Sequence, residues 1–251
     1  ATGENIRELK EAIAALRPSG PERRIVADLL SPGDLVVLVT PIDEAAPKGR
    51  LILPQQQTIR DILDAGAMAV VTKETELPQG LAALKEPPRM VITDSQAFKK
   101  VSADVPTSIP LTSFSILFAR YKGNLPGAIR GVKALESLEN GDKVLISEGC
   151  THHRQCNDIG TVKIPNWIRQ KTGKEPVFEF TSGGEFPREL TQYKLIVHCG
   201  ACMLNEREMQ SRAARAREQG VPMTNYGILI AYVTGILQRS LEPFPEIAQL
   251  L

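Results

Sequence analysis

Three of the four cysteines and two of the three histidines of this chain lie in two short pieces, Cys150-Thr151-His152 and His198-Cys199-Gly200-Ala201-Cys202. Thiolate sulfur and imidazole nitrogen at such spacing hold a metal ion or an iron–sulfur cluster. Cys199-x-x-Cys202 sets two sulfurs on one turn, a bite that suits a single zinc ion or one edge of a cluster. Cys150 adds a third thiolate and leaves one coordination position for a weaker group. His152 or His198 would close a Cys3His zinc site, whereas a cluster accepts three thiolates and an exchangeable fourth ligand. Spacing does not separate these two chemistries. A redox dithiol of Cys199 and Cys202 is a third reading, and it leaves Cys150 and the histidines without a role.

The bulk properties exclude several classes of partner. Thirty Lys and Arg against 29 Asp and Glu give a net charge of +1, so there is no electrostatic case for nucleic acid or an anionic membrane. The longest apolar run, Gly227 to Leu237, is too short to span a bilayer. Residues Ala1 to Asn5 are polar and lack the form of a secretory leader, so the expected compartment is the reducing cytoplasm, where close cysteines bind metal more often than they form disulfides. The length of 251 residues accommodates two domains, each with its own core.

The elements that must position the cysteines follow from periodicity. Ile6, Leu9, Ile13 and Leu16 share one face of a helix over 1–17, which wants a partner. A linker at Pro18 to Pro21 is followed by alternating strands and helices. Strands are expected at Leu35 to Thr40, Ala67 to Thr72 and Arg89 to Thr93. Helices are expected at Pro54 to Ala65, with Ile59, Ile62 and Leu63 inward, at Leu77 to Lys85 and at Ser95 to Ala103. Asp43, Glu44, Asp61 and Asp64 read as solvated charges. Gly123 to Gly127 marks a boundary, and the second half repeats the grammar, with strands at Lys143 to Ser147, Val177 to Phe180 and Lys194 to Val197. The prediction is an α/β protein of two small domains, each a mostly parallel sheet flanked by helices. Both cysteine pieces fall just past the carboxyl ends of strands, where open α/β sheets bind ligands. A helix over Leu204 to Gln219 would point its positive end at the thiolates, and an apolar helix over Ile228 to Gln238 follows.

Cys-x-His, a long spacer and His-Cys-x-x-Cys resemble the signature of the HydF family of iron–iron hydrogenase maturation proteins. The resemblance extends to Pro41-Ile42-Asp43 with Lys48-Gly49-Arg50-Leu51-Ile52-Leu53-Pro54-Gln55, to Glu148-Gly149-Cys150-Thr151-His152, to Asp158-Ile159-Gly160, and to the opening Gly3-Glu4-Asn5-Ile6. It implies three parts: residues 1–17 as the last helix of a GTPase domain otherwise missing, 18–122 as a dimerisation domain, and 123–251 as a domain binding a [4Fe-4S] cluster. By the resemblance the ligands are Cys150, Cys199 and Cys202, with a replaceable fourth group and His152 and His198 as nearby candidates. The implied role is a scaffold, not an enzyme in this chain, that assembles with itself as a dimer or higher oligomer. It would carry a diiron precursor of the hydrogenase cofactor to apo-hydrogenase, alongside other hydrogenase maturation proteins. GTP would belong to the missing domain, since no Gly-x-x-x-x-Gly-Lys-Ser/Thr loop occurs here. Cys156 departs from the signature and is read as a spectator thiol. His153, Arg154, Lys163 and Arg207 are candidate donors to the cyanide ligands of an anionic precursor. The rival functions are a zinc-stabilised interaction module and a thiol redox enzyme.

Overall fold

Valine-rich and isoleucine-rich runs form the strands of this protein because β-branched side chains fit a pleated surface covered on both faces. A computed structural model describes residues 5–16, 23–42, 51–149 and 158–251. After an amphipathic helix α1 (Ile6–Ala15), the first half runs β1 (Leu35–Val39), α2 (Leu53–Asp64), β2 (Met68–Thr72), α3 (Leu77–Ala82), β3 (Met90–Thr93), α4 (Phe98–Asp104), β4 (Leu111–Ser113) and α5 (Phe114–Tyr121). The second half runs α6 (Leu125–Val132), β5 (Lys143–Ser147), α7 (Ile164–Thr172), β6 (Val177–Thr181), β7 (Tyr193–His198), α8 (Glu206–Glu218), β8 (Met223–Asn225), α9 (Tyr226–Val233), α10 (Leu237–Ser240) and α11 (Pro245–Ala248). The strands make two four-stranded parallel sheets, ordered β2-β1-β3-β4 and β6-β5-β7-β8, so the α/β class and the two sheets expected from the sequence are present.

Successive side chains of a strand point to opposite faces, and this sorts the core into layers. Val36 and Leu38 of β1 share one apolar cluster with Val144 and Ile146 of β5, joined through Ile116 and Leu117 of α5, Ile129 of α6 and Ile228 and Leu229 of α9. The alternate residues face outward to separate clusters: Val37 and Val39 with Leu77 and Val101, and Leu145 with Met209 and Ala216. The sheets therefore enclose a common helical layer, and the boundary at Gly123 is an exposed turn between two of its helices, α5 and α6.

The halves correspond residue by residue around this layer. Gly33-Asp34 and Gly141-Asp142 each open a strand with glycine at positive φ, 88° and 83°, a conformation that suits glycine. Asp34 and Asp142 each accept a backbone N–H three residues upstream, from Ser31 and Glu139, at 2.8 Å. Pro110-Leu111-Thr112-Ser113-Phe114 leads into α5 as Pro222-Met223-Thr224-Asn225-Tyr226 leads into α9. Ser113 caps the Ile116 N–H at 3.2 Å, and Asn225 caps that of Ile228 at 2.8 Å. The two helices cross at equivalent positions: a Cβ on Gly227 would lie 2.2 Å from Cβ of Ser115. The helices that follow are exchanged. α6 packs on β8, and α10 packs on β4, where Arg239 donates to the carbonyls of Val105 (2.6 Å) and Pro106 (3.1 Å).

Several local expectations are corrected. Leu63 faces solvent at 55% exposure, while Ile62 alone of the predicted inward trio is fully buried. Asp61 is no solvated charge: its Oδ2 accepts the N–H groups of Ile25, Val26 and Ala27 at 2.8–3.1 Å and anchors the entry to the first half. Asp64 pairs with Arg60 on the surface, and Asp43 and Glu44 lie outside the described residues. The apolar helix expected over 228–238 is two short ones, broken at Thr234-Gly235, where Gly235 takes φ +77°. Strand β8, three residues long, lacks a periodic signal. α1 carries no buried residue, and Ile6, Leu9 and Ile13 stay exposed. No helix among the described residues is long and apolar enough to cross a membrane.

Candidate metal centre

The two cysteine pieces start side by side. Ser147, the last residue of β5, is in register with His198, the last of β7, and the Cys199 N–H donates to the Ser147 carbonyl at 2.8 Å. Glu148 and Gly149 continue from β5 toward Cys150. Cys150, His152, Cys156, His153 and Arg154 lie outside the described residues. Gly149 is the last described residue before Cys150, and its N–H donates to Sγ of Cys199 at 3.0 Å. The Ala201 N–H donates to the same sulfur at 3.3 Å. A sulfur accepting two backbone N–H groups is stabilised as thiolate. Gly149 lies close under Leu204: a Cβ would be 2.8 Å from that side chain, which would have to shift.

The Cys199–Cys202 loop is strained at one point and braced there. Ala201 is buried and has φ 53°, a left-handed conformation uncommon outside glycine. Its carbonyl accepts from the ammonium of Lys122, as does the carbonyl of Leu204 at 2.8 Å. Lys122 follows α5, so this cation reaches the loop from the first half, and it is 6% exposed. Burial lowers its pKa, while Cys202 and Cys199 act in the opposite sense. Among the described residues no carboxylate pairs with it.

His198 lies beneath the loop and is fully buried. Its Nδ1 faces the Cys199 carbonyl at 2.9 Å, an acceptor, so Nδ1 carries the proton and Nε2 accepts from Arg212 at 3.1 Å. Burial first, then the cations Arg212 and Lys122, push its pKa down to about 4. Both ring nitrogens of His198, a possible fourth or nearby ligand by the sequence, are engaged within the protein. His198 orients Cys199. Arg212 is buried as well; it also pairs with Glu208 (2.7 Å), donates to the Gly183 carbonyl (3.0 Å) and stacks over Phe186.

Behind the other strand end, buried Glu148 accepts from the Tyr226 hydroxyl at 3.2 Å. Burial, Glu148 and Cys199 raise the Tyr226 pKa far above the ordinary value, so it remains a donor. Gly160 closes over this pair: a Cβ there would lie 2.4 Å from the Tyr226 hydroxyl and 2.5 Å from Glu148. Asp158 caps the turn that follows, accepting from the Thr161 N–H at 2.8 Å.

The positive helix end expected at the thiolates is displaced. α8 begins at Glu206 and is capped by its own Asn205, which accepts the Glu208 N–H at 2.8 Å, with Glu206 and Glu208 in its first turn. The cation beside the loop is Lys122, which no motif marks in the sequence; Tyr226 and Arg212 carry no motif either, and Glu148 belongs to the Glu148-Gly149-Cys150 run of the resemblance, which assigns it no role. Lys163 bridges to Gln96 at 3.1 Å, and Arg207 is exposed on α8. Among the described residues no three Cys, His, Asp or Glu side chains form a metal-binding group, Cys150 being outside them. Cys199 and Cys202 are not joined in a disulfide. The donor set that is described, a hydrogen-bonded sulfur, a second cysteine and a buried cation, suits a soft anionic sulfur group.

Two parallel sheets around a shared helical layer, with a braced thiolate loop at the carboxyl end of the second, define a two-domain α/β protein with a cysteine-built site. The description "Hydrogen maturase F dimerization domain" matches residues 25–123 and "Hydrogen maturase F tetramerization domain" matches residues 126–243. The chain belongs to the hydrogen maturase F family, HydF, with a role in hydrogenase maturation and two domains that serve self-association. No curated protein matches it.

Proposed function

We propose that this chain is a scaffold and carrier in iron–iron hydrogenase maturation. It holds a [4Fe-4S] cluster through Cys150, Cys199 and Cys202, keeps a fourth iron position exchangeable, and delivers a diiron precursor to apo-hydrogenase without itself being an enzyme. The observation that carries the reading is the pair of backbone N–H groups on Sγ of Cys199, one of them from Gly149, next to Cys150. N–H donation to sulfur tunes cluster potentials and favours the thiolate, which both cluster and zinc require. Two sulfur ligands come from the Cys199–Cys202 loop and one from the segment after β5. Such a set leaves one iron without a protein thiolate, and that iron is where a precursor would be met. When bound, the cluster supplies that open iron. This chain's own residues orient the sulfurs, through His198 under Cys199 and Lys122 under Ala201.

Anaerobic reconstitution with iron and sulfide tests the reading, with absorbance and electron paramagnetic resonance as readouts. The parent chain is expected to assemble one [4Fe-4S] cluster. Cys150→Ala, Cys199→Ala and Cys202→Ala should each abolish it, and Cys156→Ala should leave it. Tight uptake of one zinc ion with no cluster would sink the carrier reading in favour of a zinc-stabilised interaction module.

A further inference from the structure

The cysteine loop is not held by its own domain alone. Lys122 follows directly on the last helix of the first half, and its ammonium is buried against two carbonyls of the second half's loop. A buried ammonium costs several kcal/mol of lost hydration unless charge and hydrogen bonds replace water. The hydrogen bonds here come from the carbonyls of Ala201 and Leu204, on the loop that carries Cys199 and Cys202. The contact is closed from outside by Arg23, which pairs with Glu206 at 2.6 Å and donates to the carbonyl of Tyr121, the neighbour of Lys122, at 3.4 Å. Gly123 admits this arrangement through φ +74°; a Cβ would lie 2.6 Å from the Arg23 guanidinium.

We propose that Lys122 is a positioning residue of the cluster site, supplied across the domain boundary: it holds Ala201 in its left-handed conformation and stands as the fixed positive charge beside the thiolates. The inference rests on the proposed function for its second part only. The left-handed Ala201 turns its N–H onto Sγ of Cys199, so bracing Ala201 sets a donor on a ligand. A cluster held by thiolates becomes more negative on reduction, and a nearby cation stabilises the reduced form. Lys122 therefore raises the reduction potential and couples the cluster to the placement of α5.

Two variants of the full chain test this. Lys122→Met removes donor and charge; Lys122→Gln keeps a donor and removes the charge. In the cluster-free protein, hydrogen exchange of the 199–204 amides is expected to rise by roughly tenfold in Lys122→Met and to change by less than about threefold in Lys122→Gln. After reconstitution, Lys122→Gln should take up the parent amount of iron and sulfide and be reduced at a more negative potential in a titration followed by electron paramagnetic resonance. A merely structural lysine would lower cluster content without moving the potential of the clusters that form. Parent-like exchange in Lys122→Met overturns the bracing role, and a parent-like potential in Lys122→Gln overturns the charge role. If Lys122→Met does not fold, the Gln variant still decides the second. Failure of the parent chain to assemble a cluster counts against the proposed function instead, and the exchange result then decides the bracing role alone.

Discussion

Gly160 shows how closely single atoms are specified around the thiolate loop. Its α-carbon faces the buried Glu148–Tyr226 pair, and no space remains for a methyl group. Gly160→Ala is expected to cost about 1–3 kcal/mol, the usual range for overpacking, measured by chemical denaturation. Tyr226→Phe removes one donor to the buried Glu148 carboxylate and should cost about 1 kcal/mol by the same measurement; parent-like stability would contradict a net contribution from this bond. At this scale the sequence is partly legible. Soft ligands cluster, so Cys150, Cys199 and Cys202 stand out by type and spacing. Lys122, Tyr226 and Arg212 do not, because they reach the site by tertiary packing from helices and loops that carry no motif, and Glu148, though next to the motif, shows its pairing only in three dimensions. His198 stands out by type as well, and the structure adds what spacing does not show, its burial against Arg212 and the Cys199 carbonyl.

Among the elements, the long periodic ones are readable. β1, β3 and β5 are continuous apolar runs because both faces are covered, and the structure places all three inside sheets. β4 and β8 escape sequence reading because three residues cannot show a period, and each runs straight into a helix through a Ser or Asn cap. The start of α8 is misread for a related reason: Leu204 suits a helix, yet its carbonyl and that of Ala201 are taken by Lys122, and Asn205 resets the start. The exchanged packing of α6 on β8 gives the sharpest test of the elements. A Cβ on Gly131 would lie 2.1 Å from the Met223 carbonyl oxygen, a backbone atom that cannot swing aside. Gly131→Ala is expected to cost about 3 kcal/mol or more, and a denaturation midpoint equal to the parent's would contradict the close approach.

At the scale of the molecule, two surfaces bear on self-association. β2 and β6 are the outer strands at the other edges of the two sheets, and both keep apolar side chains exposed although α2 packs on β2. β2 exposes Met68 (52%) and Val71 (44%), and β6 exposes Val177 and Phe180. An uncovered apolar edge invites another strand. Val71→Lys is expected to lower the oligomeric state seen by light scattering after size-exclusion chromatography, and an unchanged mass would place the dimer contact elsewhere.

The crossing of α5 and α9 at Ser115 and Gly227 has a wider meaning. With matching strand orders, matching caps and traded helices, the chain has the build of a homodimer whose protomers were joined end to end. The hypothesis of an ancestral half-length chain explains why one half carries Cys199 where the other has Asp94: fusion freed the two strand ends to diverge. It also predicts a dependence that joining did not remove. Residues 23–123 and 124–251, co-expressed as separate chains, should copurify one to one, whereas a first half that is stable alone would show that the shared layer is dispensable. On that hypothesis a cysteine loop hydrogen-bonded by a lysine of the opposite half is the trace of an old subunit contact, kept inside one polypeptide.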